Sequence, residues 1–526
     1  MAKNINFIPN DPGALKDMPL RAQAPRKMPA AGRASFKLPS PAPAQQPAAP
    51  GTAEFLFWQC REAVLAAVEM WQKVEGPVTK WARSPSPKSL DLSIDQGEEL
   101  NAYYDGGGLR FFHYPAGKNV TFSGASTDVV SHECGHALLD TIRPDLWGIN
   151  YTEVAAFHEA FGDCAALLTV LDDKPTRVKL LGITKDLSKP SFVESLMEDL
   201  AAGVKKNYGA SNPSAEPRHA LNKFQWDLPE NLPPRAPPKQ MCSEIHAFGR
   251  VFVGCFYDLL RLVFAGQASQ SEGNLWKAAV ITAKLLIEGT KNAPVDPRFF
   301  RSVGRAMLLA DDAQNGGKLK PLIAKAFSQH GIALGSPTAP SPTAALAGAA
   351  PRRRGRAMTV APATVKGVRA LIGGSANRPI STRAVALGHG QGSELVYPHR
   401  VSLDSLGLRG VVAVGHVSTL VSEQRGRAAL VGNPLPTTVA DAEVLTFVKT
   451  LMAYDRIDAG AAPAARRAMA AAAPARGAEK GNLPTHKVVN RGNEKVLERV
   501  RFACGCCEGS RLDGGKALPD QEGIAF

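Results

Sequence analysis

Two imidazoles and a carboxylate stand together in His132-Glu133-Cys134-Gly135-His136. On a helix, that spacing sets His132 and His136 one turn apart on the same face, as two metal ligands would stand. It also leaves Glu133 beside the first of them, where it can act on a metal-bound water. A second segment, Glu159-Ala160-Phe161-Gly162-Asp163, offers a third ligand at Glu159 and, one turn on, a carboxylate at Asp163 to orient a ligand histidine. Three protein ligands, one open position and an adjacent base describe a catalytic zinc centre. Cys134, between the ligands, reads as a small buried thiol. His158 adjoins Glu159 but points off the metal face by about 100° of helix rotation, so it is read as a non-ligand.

The elements that must carry these groups are legible around them. Asp128-Val129-Val130 leads into the first motif, and an apolar helix continues through Ala137-Leu138-Leu139 until Arg143-Pro144. A second helix is expected to start at Asn150, with Glu153 three residues on as a capping box, and to run to Asp172-Asp173-Lys174-Pro175. A connection of about ten residues lets the two pack antiparallel and bring Glu159 to the histidines. Ahead of them, Ala53-Glu54-Phe55-Leu56-Phe57 through Met70-Trp71 reads as one amphipathic helix. Residues 227–238, rich in Pro, read as a loop near the rim of the site.

The flanking motifs resemble the thermolysin-like metallopeptidases, the gluzincins. Asn101-Ala102-Tyr103-Tyr104-Asp105-Gly106 resembles that family's N-A-[FY]-[WY]-[ND]-G segment, an edge strand that holds an extended peptide. Ser243-Glu244-Ile245-His246-Ala247-Phe248-Gly249 resembles the helix start that carries its active-site histidine, and Arg218 stands 28 residues before His246, the family's separation for a substrate-carbonyl arginine. Phe299-Phe300-Arg301-Ser302-Val303-Gly304-Arg305-Ala306 and Ala326-Phe327-Ser328-Gln329-His330-Gly331-Ile332 resemble its closing helices. The likeness spans roughly residues 90 to 335.

The resemblance implies an α+β gluzincin fold: a short β-containing N-terminal lobe, then a mainly α-helical lobe, with one catalytic Zn2+ held by His132, His136 and Glu159. Glu133 is the implied general base, His246 the oxyanion donor with Tyr151 as a second, and Arg218, Asn101 and Ala102 the peptide holders. Val129 falls where the family lines an apolar specificity pocket, and Asp163 would accept from a ligand histidine. Asp128 matches a calcium position, but residues 165–170 are apolar where acidic partners would complete it, which argues against calcium. The family's Asp five residues before His246 is also missing, and Glu244 is the available substitute.

Composition fits this layout. The formal charge of +14 is carried by the ends: residues 1–50 sum to +5 and residues 345–526 to +11, leaving −2 between. Residues 1–52 read as a disordered, basic, Pro- and Ala-rich arm without a signal peptide's apolar core, so the expected location is cytoplasmic, with leaderless secretion left open. No apolar run of about 18 residues points to a membrane span. Basic tails would suit an acidic partner, but without a motif or aromatic platform nucleic-acid binding is not expected.

After the peptidase domain, residues 53–335, a flexible linker is expected over 336–377 and a separate small α/β unit of unknown fold over 378–526. In that unit Leu395-Val396-Tyr397 and residues 410–414 read as strands, residues 441–454 as a helix and residues 459–477 as low complexity. It ends in Cys504-Gly505-Cys506-Cys507, a cluster without paired zinc-finger spacing. Two functions fit: a zinc peptidase, or a catalytically silent gluzincin-fold scaffold whose basic C-terminal unit is the interaction module. Glu133 and His246 favour the first.

Overall fold

The computed structural model describes residues 3–210, 212–335, 360, 362–375, 378–387, 390–424, 427–431, 435–460 and 483–503. At its centre lies the helix Ala53–Val74, buried on almost every face because Phe55, Leu56, Phe57 and Trp58 surround its first turn with apolar surface. Such a helix needs cover on both sides. One side is the metal-motif helix; the other is the segment expected to be a disordered arm.

That expectation is corrected. Strand Ile5–Phe7 pairs antiparallel with Arg21–Gln23, and Ile5, Phe7 and Ile8 are buried in the main core. Gln59 of the central helix accepts from Ile8 N at 2.8 Å and donates to Ile8 O at 3.0 Å, so the segment is stitched on by backbone bonds that its polar composition does not advertise. Farther along, strand Ser35–Lys37 enters a five-stranded sheet of order Phe502–Ala503, Ala102–Tyr104, Gly108–Phe111, Ser89–Ser93, Ser35–Lys37.

The motif helix, Thr127–Ile142, is capped by Ser126, whose Oγ accepts from Val129 N at 3.2 Å and donates to Asp11 Oδ2 at 2.6 Å. Its partner, Thr152–Asp172, starts two residues later than expected. Glu153 forms no capping box there: its carboxylate accepts instead from Trp226 Nε1 and Phe300 N, both at 2.9 Å, and so ties two later segments to the helix start. This partner helix is long and apolar enough to cross a membrane, but it is wholly buried in the protein. Helices Lys174–Thr184, Glu198–Tyr208, Ile245–Ala265, Glu272–Asn292, Phe299–Asn315 and Lys320–Ser328 complete the helical lobe; Phe299–Asn315 begins with the first expected closing segment, whereas Lys320–Ser328 begins before the second and ends inside it.

The C-terminal residues form a sheet of order Ser381–Leu387, Gly390–Ser402, Val411–Gln424, Glu494–Arg499, His486–Arg491, Ile457–Asp458, with Arg427–Val431 also paired to Val411–Gln424 and helix Thr437–Ala453 packed on it. It is not a separate unit. Tyr397, Val411 and Leu497 belong to the same core as the helical lobe; Val295 N donates to Glu394 Oε1 at 3.0 Å, and Asn150 N to Val414 O at 3.2 Å. Within the expected linker, Pro362–Leu371 is a helix whose Val368 packs on Leu395 and Val421. The cysteine cluster and most of the low-complexity stretch lie outside the described residues.

Candidate active site

The motif helix and its partner cross where both carry glycine. A Cβ on Gly135 would lie 2.9 Å from Gly162 Cα, and a Cβ on Gly162 would lie 2.7 Å from the His132 ring. Two hydrogen atoms therefore set the spacing of the two helices, and with it the reach of Glu159 to the histidines. His132, His136 and Glu159 are buried to within 1% of full coverage.

Their donor atoms converge. His132 Nε2 lies 3.3 Å and His136 Nε2 3.8 Å from Glu159 Oε2. Zinc bonds of about 2.0–2.2 Å place neighbouring tetrahedral donors about 3.3–3.6 Å apart, so the two edges that meet at Glu159 Oε2 are close to those one ion requires. On the far side of the first ring, His132 Nδ1 is 2.8 Å from Asp163 Oδ1. That contact assigns a proton to Nδ1 and turns Nε2 toward Glu159. Burial alone would discourage a charge on His132, but the Asp163 and Glu159 contacts outweigh it and push its pKa up to about 10. Burial would likewise raise Glu159, yet His246, His136 and His132 hold its carboxyl well below the usual range. Such a donor set is built to surround a cation.

The expected auxiliary residues divide. Glu133 is fully buried, and its carboxylate lies with the donor atoms of His132 and His136 inside a 4.8 Å cluster. His246 is the second residue of the helix Ile245–Ala265. Its Nδ1 meets Glu244 Oε1 at 2.5 Å, while the other oxygen of Glu244 accepts from His246 N and Ala247 N. Glu244 is thus the imidazole's partner. His246 Nε2 faces the metal ligands, 3.0 Å from Glu159 Oε2, and donates to Ala503 O at 2.9 Å. Burial opposes a charge on this ring, but Glu159 and Glu244 raise its pKa well above the ordinary value.

Arg218, on the short strand Arg218–His219, donates through Nη2 to Asp163 Oδ1 at 2.7 Å and so braces the residue that orients His132. Asn101 spends its amide locally, donating to Glu99 Oε1 at 2.7 Å and accepting from Ala102 N at 2.9 Å. Ala102 begins the strand Ala102–Tyr104. Val129 is fully buried in the core one turn before His132. Tyr151 is not turned to the metal ligands: its hydroxyl donates to His416 O at 2.7 Å, because strand Val411–Gln424 packs across the start of the partner helix. His158 stays outside the donor set, and burial pushes the Cys134 thiol up to about 12.

Sequence reasoning missed Phe502. Its ring stacks on His158 at 4.1 Å and on the ligand His136 at 4.9 Å, with both ring pairs within 19° of parallel. The Arg499 guanidinium covers the ring at 4.0 Å, and Trp147 meets it edge-on at 5.4 Å. Only the alternation of Val500 and Phe502 hinted at a strand, and nothing in the sequence named its neighbour.

Residues 104–336 match the fungalysin metallopeptidase (M36) family. The matched stretch contains His132, Glu133, His136, Glu159, Asp163, Arg218 and His246, and the His132-Glu133-His136 cluster sits inside it, as a metal-dependent peptidase requires. It leaves out Asn101 to Tyr103 and the whole C-terminal sheet. No curated protein matches the chain.

Proposed function

We propose that the protein is a zinc metalloendopeptidase of the thermolysin-like kind. The observation that carries this reading is the approach of His132 Nε2 and His136 Nε2 to Glu159 Oε2, at 3.3 and 3.8 Å, close to the edge lengths of a tetrahedral site. The family match over residues 104–336 supports it independently. An ion held by these three residues supplies Lewis acidity, polarising a scissile carbonyl and acidifying water.

The chain's own groups do the rest. Glu133 takes the proton of the attacking water and passes it to the leaving amine, a role that suits a buried carboxylate beside the first ligand. His246 Nε2 donates to the carbonyl oxygen as negative charge develops on it, with Glu244 fixing the ring and stabilising its charged form. Asp163 and Arg218 hold His132 in one tautomer and one orientation. Strand Ala102–Tyr104 offers backbone groups to an extended peptide.

Glu133→Gln tests the assignment. Zinc content should remain at one per chain while kcat/KM on peptide substrates falls by about 10²–10⁴, the usual worth of a positioned base. Unchanged kcat/KM would remove Glu133 from the mechanism. Stoichiometric zinc without cleavage of a broad peptide library, in any variant, would leave the fold as a metal-binding scaffold.

A further inference from the structure

The strand Phe502–Ala503 lies where a peptide would have to lie. It pairs antiparallel with Ala102–Tyr104, Phe502 opposite Tyr104 and Ala503 opposite Tyr103, and so completes the outer edge of the five-stranded sheet. Adding a strand to a sheet edge is a standard way to hold an extended peptide, the backbone bonds giving affinity and alternate side chains giving selectivity. The placement along that edge is specific. Ala503 O accepts from His246 Nε2 at 2.9 Å, and the same nitrogen is 3.0 Å from Glu159 Oε2, so this backbone carbonyl sits against the metal ligands. One residue earlier, Phe502 closes over His136 and His158 and is 1% exposed.

The segment is also anchored upstream. Trp147 Nε1 donates to Arg499 O at 3.2 Å, Arg499 Nε returns a bond to Trp147 O at 3.3 Å, and the Arg501 guanidinium lies over the Tyr103 ring at 4.8 Å. A small cavity of about 30 Å³ lies beside the segment, lined by Glu244 and His246, by Phe447 and Tyr454, and by Phe502 and Ala503 themselves.

We propose that residues 499–503 are a tethered pseudo-substrate: they block the peptide groove of this chain and display the substrate class it takes. That class is an extended segment with an aromatic side chain followed by a small residue, the small residue's carbonyl being the one presented to His246. The inference rests on the peptidase reading for its chemistry, but not for its geometry. A tethered occupant acts at an effective concentration on the order of millimolar, so a free peptide of equal intrinsic affinity competes poorly until it reaches that level.

The test uses the full chain, its Phe502→Asp and Ala503→Pro variants, and a fluorescent peptide with the sequence of residues 498–503. Zinc content and circular dichroism are checked for each protein. Both variants should bind the peptide at least about tenfold more tightly than wild type, and should cleave a quenched peptide containing Arg-Phe-Ala faster by a similar factor. A peptide in which Asp replaces the Phe should bind weakly to all three. Equal binding to wild type and to folded, zinc-loaded variants overturns the proposal, as does absence of binding to every form. Tighter binding by the variants with no cleavage retains the proposal and removes the peptidase reading instead. If neither variant folds, hydrogen exchange on wild type decides: saturating peptide should deprotect residues 499–503, and unchanged protection overturns the idea.

Discussion

Asp163 shows how much of a metal site lies outside its ligands. One of its oxygens meets both His132 Nδ1 and Arg218 Nη2, so a single carboxylate fixes a tautomer on one side and neutralises a buried guanidinium on the other. Asp163→Ala should leave all three ligands in place yet weaken zinc binding by about 10–100-fold, measured by competition with a chromogenic chelator. Unchanged affinity would mean that helix packing alone orients His132. That His132, Glu133, His136, Glu159 and Asp163 come together was legible because helical periodicity converts sequence spacing directly into a shared face. Tyr151 was not, since its hydroxyl is decided by a strand about 265 residues later in the chain.

Among the elements, the two crossing helices were foreseen, and the reason lies in their own residues: apolar runs, a Ser126 cap and glycines at the crossing. The capping box at Glu153 failed for a tertiary reason. Its carboxylate is taken instead by the Nε1–H of the half-buried Trp226 and the buried N–H of Phe300. Burial pushes the Glu153 pKa up to about 8, with Arg298 and its two N–H partners only partly offsetting it. The fold thus keeps a proton that the unfolded chain releases near pH 4.5, so this contribution is complete below pH 4.5 and is lost as pH rises through 8. Glu153→Gln should flatten the fall in stability across that window by on the order of a few kcal/mol, read from denaturant melts at several pH values. Parallel curves for the two proteins would assign the fall to other buried acids. The segment 3–52 and the strand Phe502–Ala503 escaped for a related reason: short strands carry little pattern of their own and take their place from partners far along the chain.

At the scale of the molecule, the chain folds around one main core rather than as a peptidase with an appendage. Residues 1–345 expressed alone would uncover the apolar faces that Tyr397, Val411 and Leu497 bury, and would lose the bonds from Val295 and Asn150. Their Tm should fall by roughly 5 °C, the shift that a loss of about 3–4 kcal/mol produces in a domain of this size. A thermal transition equal to that of the full chain would show the sheet to be dispensable. The strand over the metal ligands also bears on the order of assembly. His132 and Asp163 are 31 residues apart, whereas Trp147 and Arg499 must close a separation of 352. Local contacts form fast and distant ones late, so the helix pair is complete while its outer face is still open to solvent. His132, His136 and Glu159 are at most 1% exposed in the finished surface, so an ion held by them would have to enter before that strand closes. In the folded protein, metal exchange should then be paced by how often the last strand lifts.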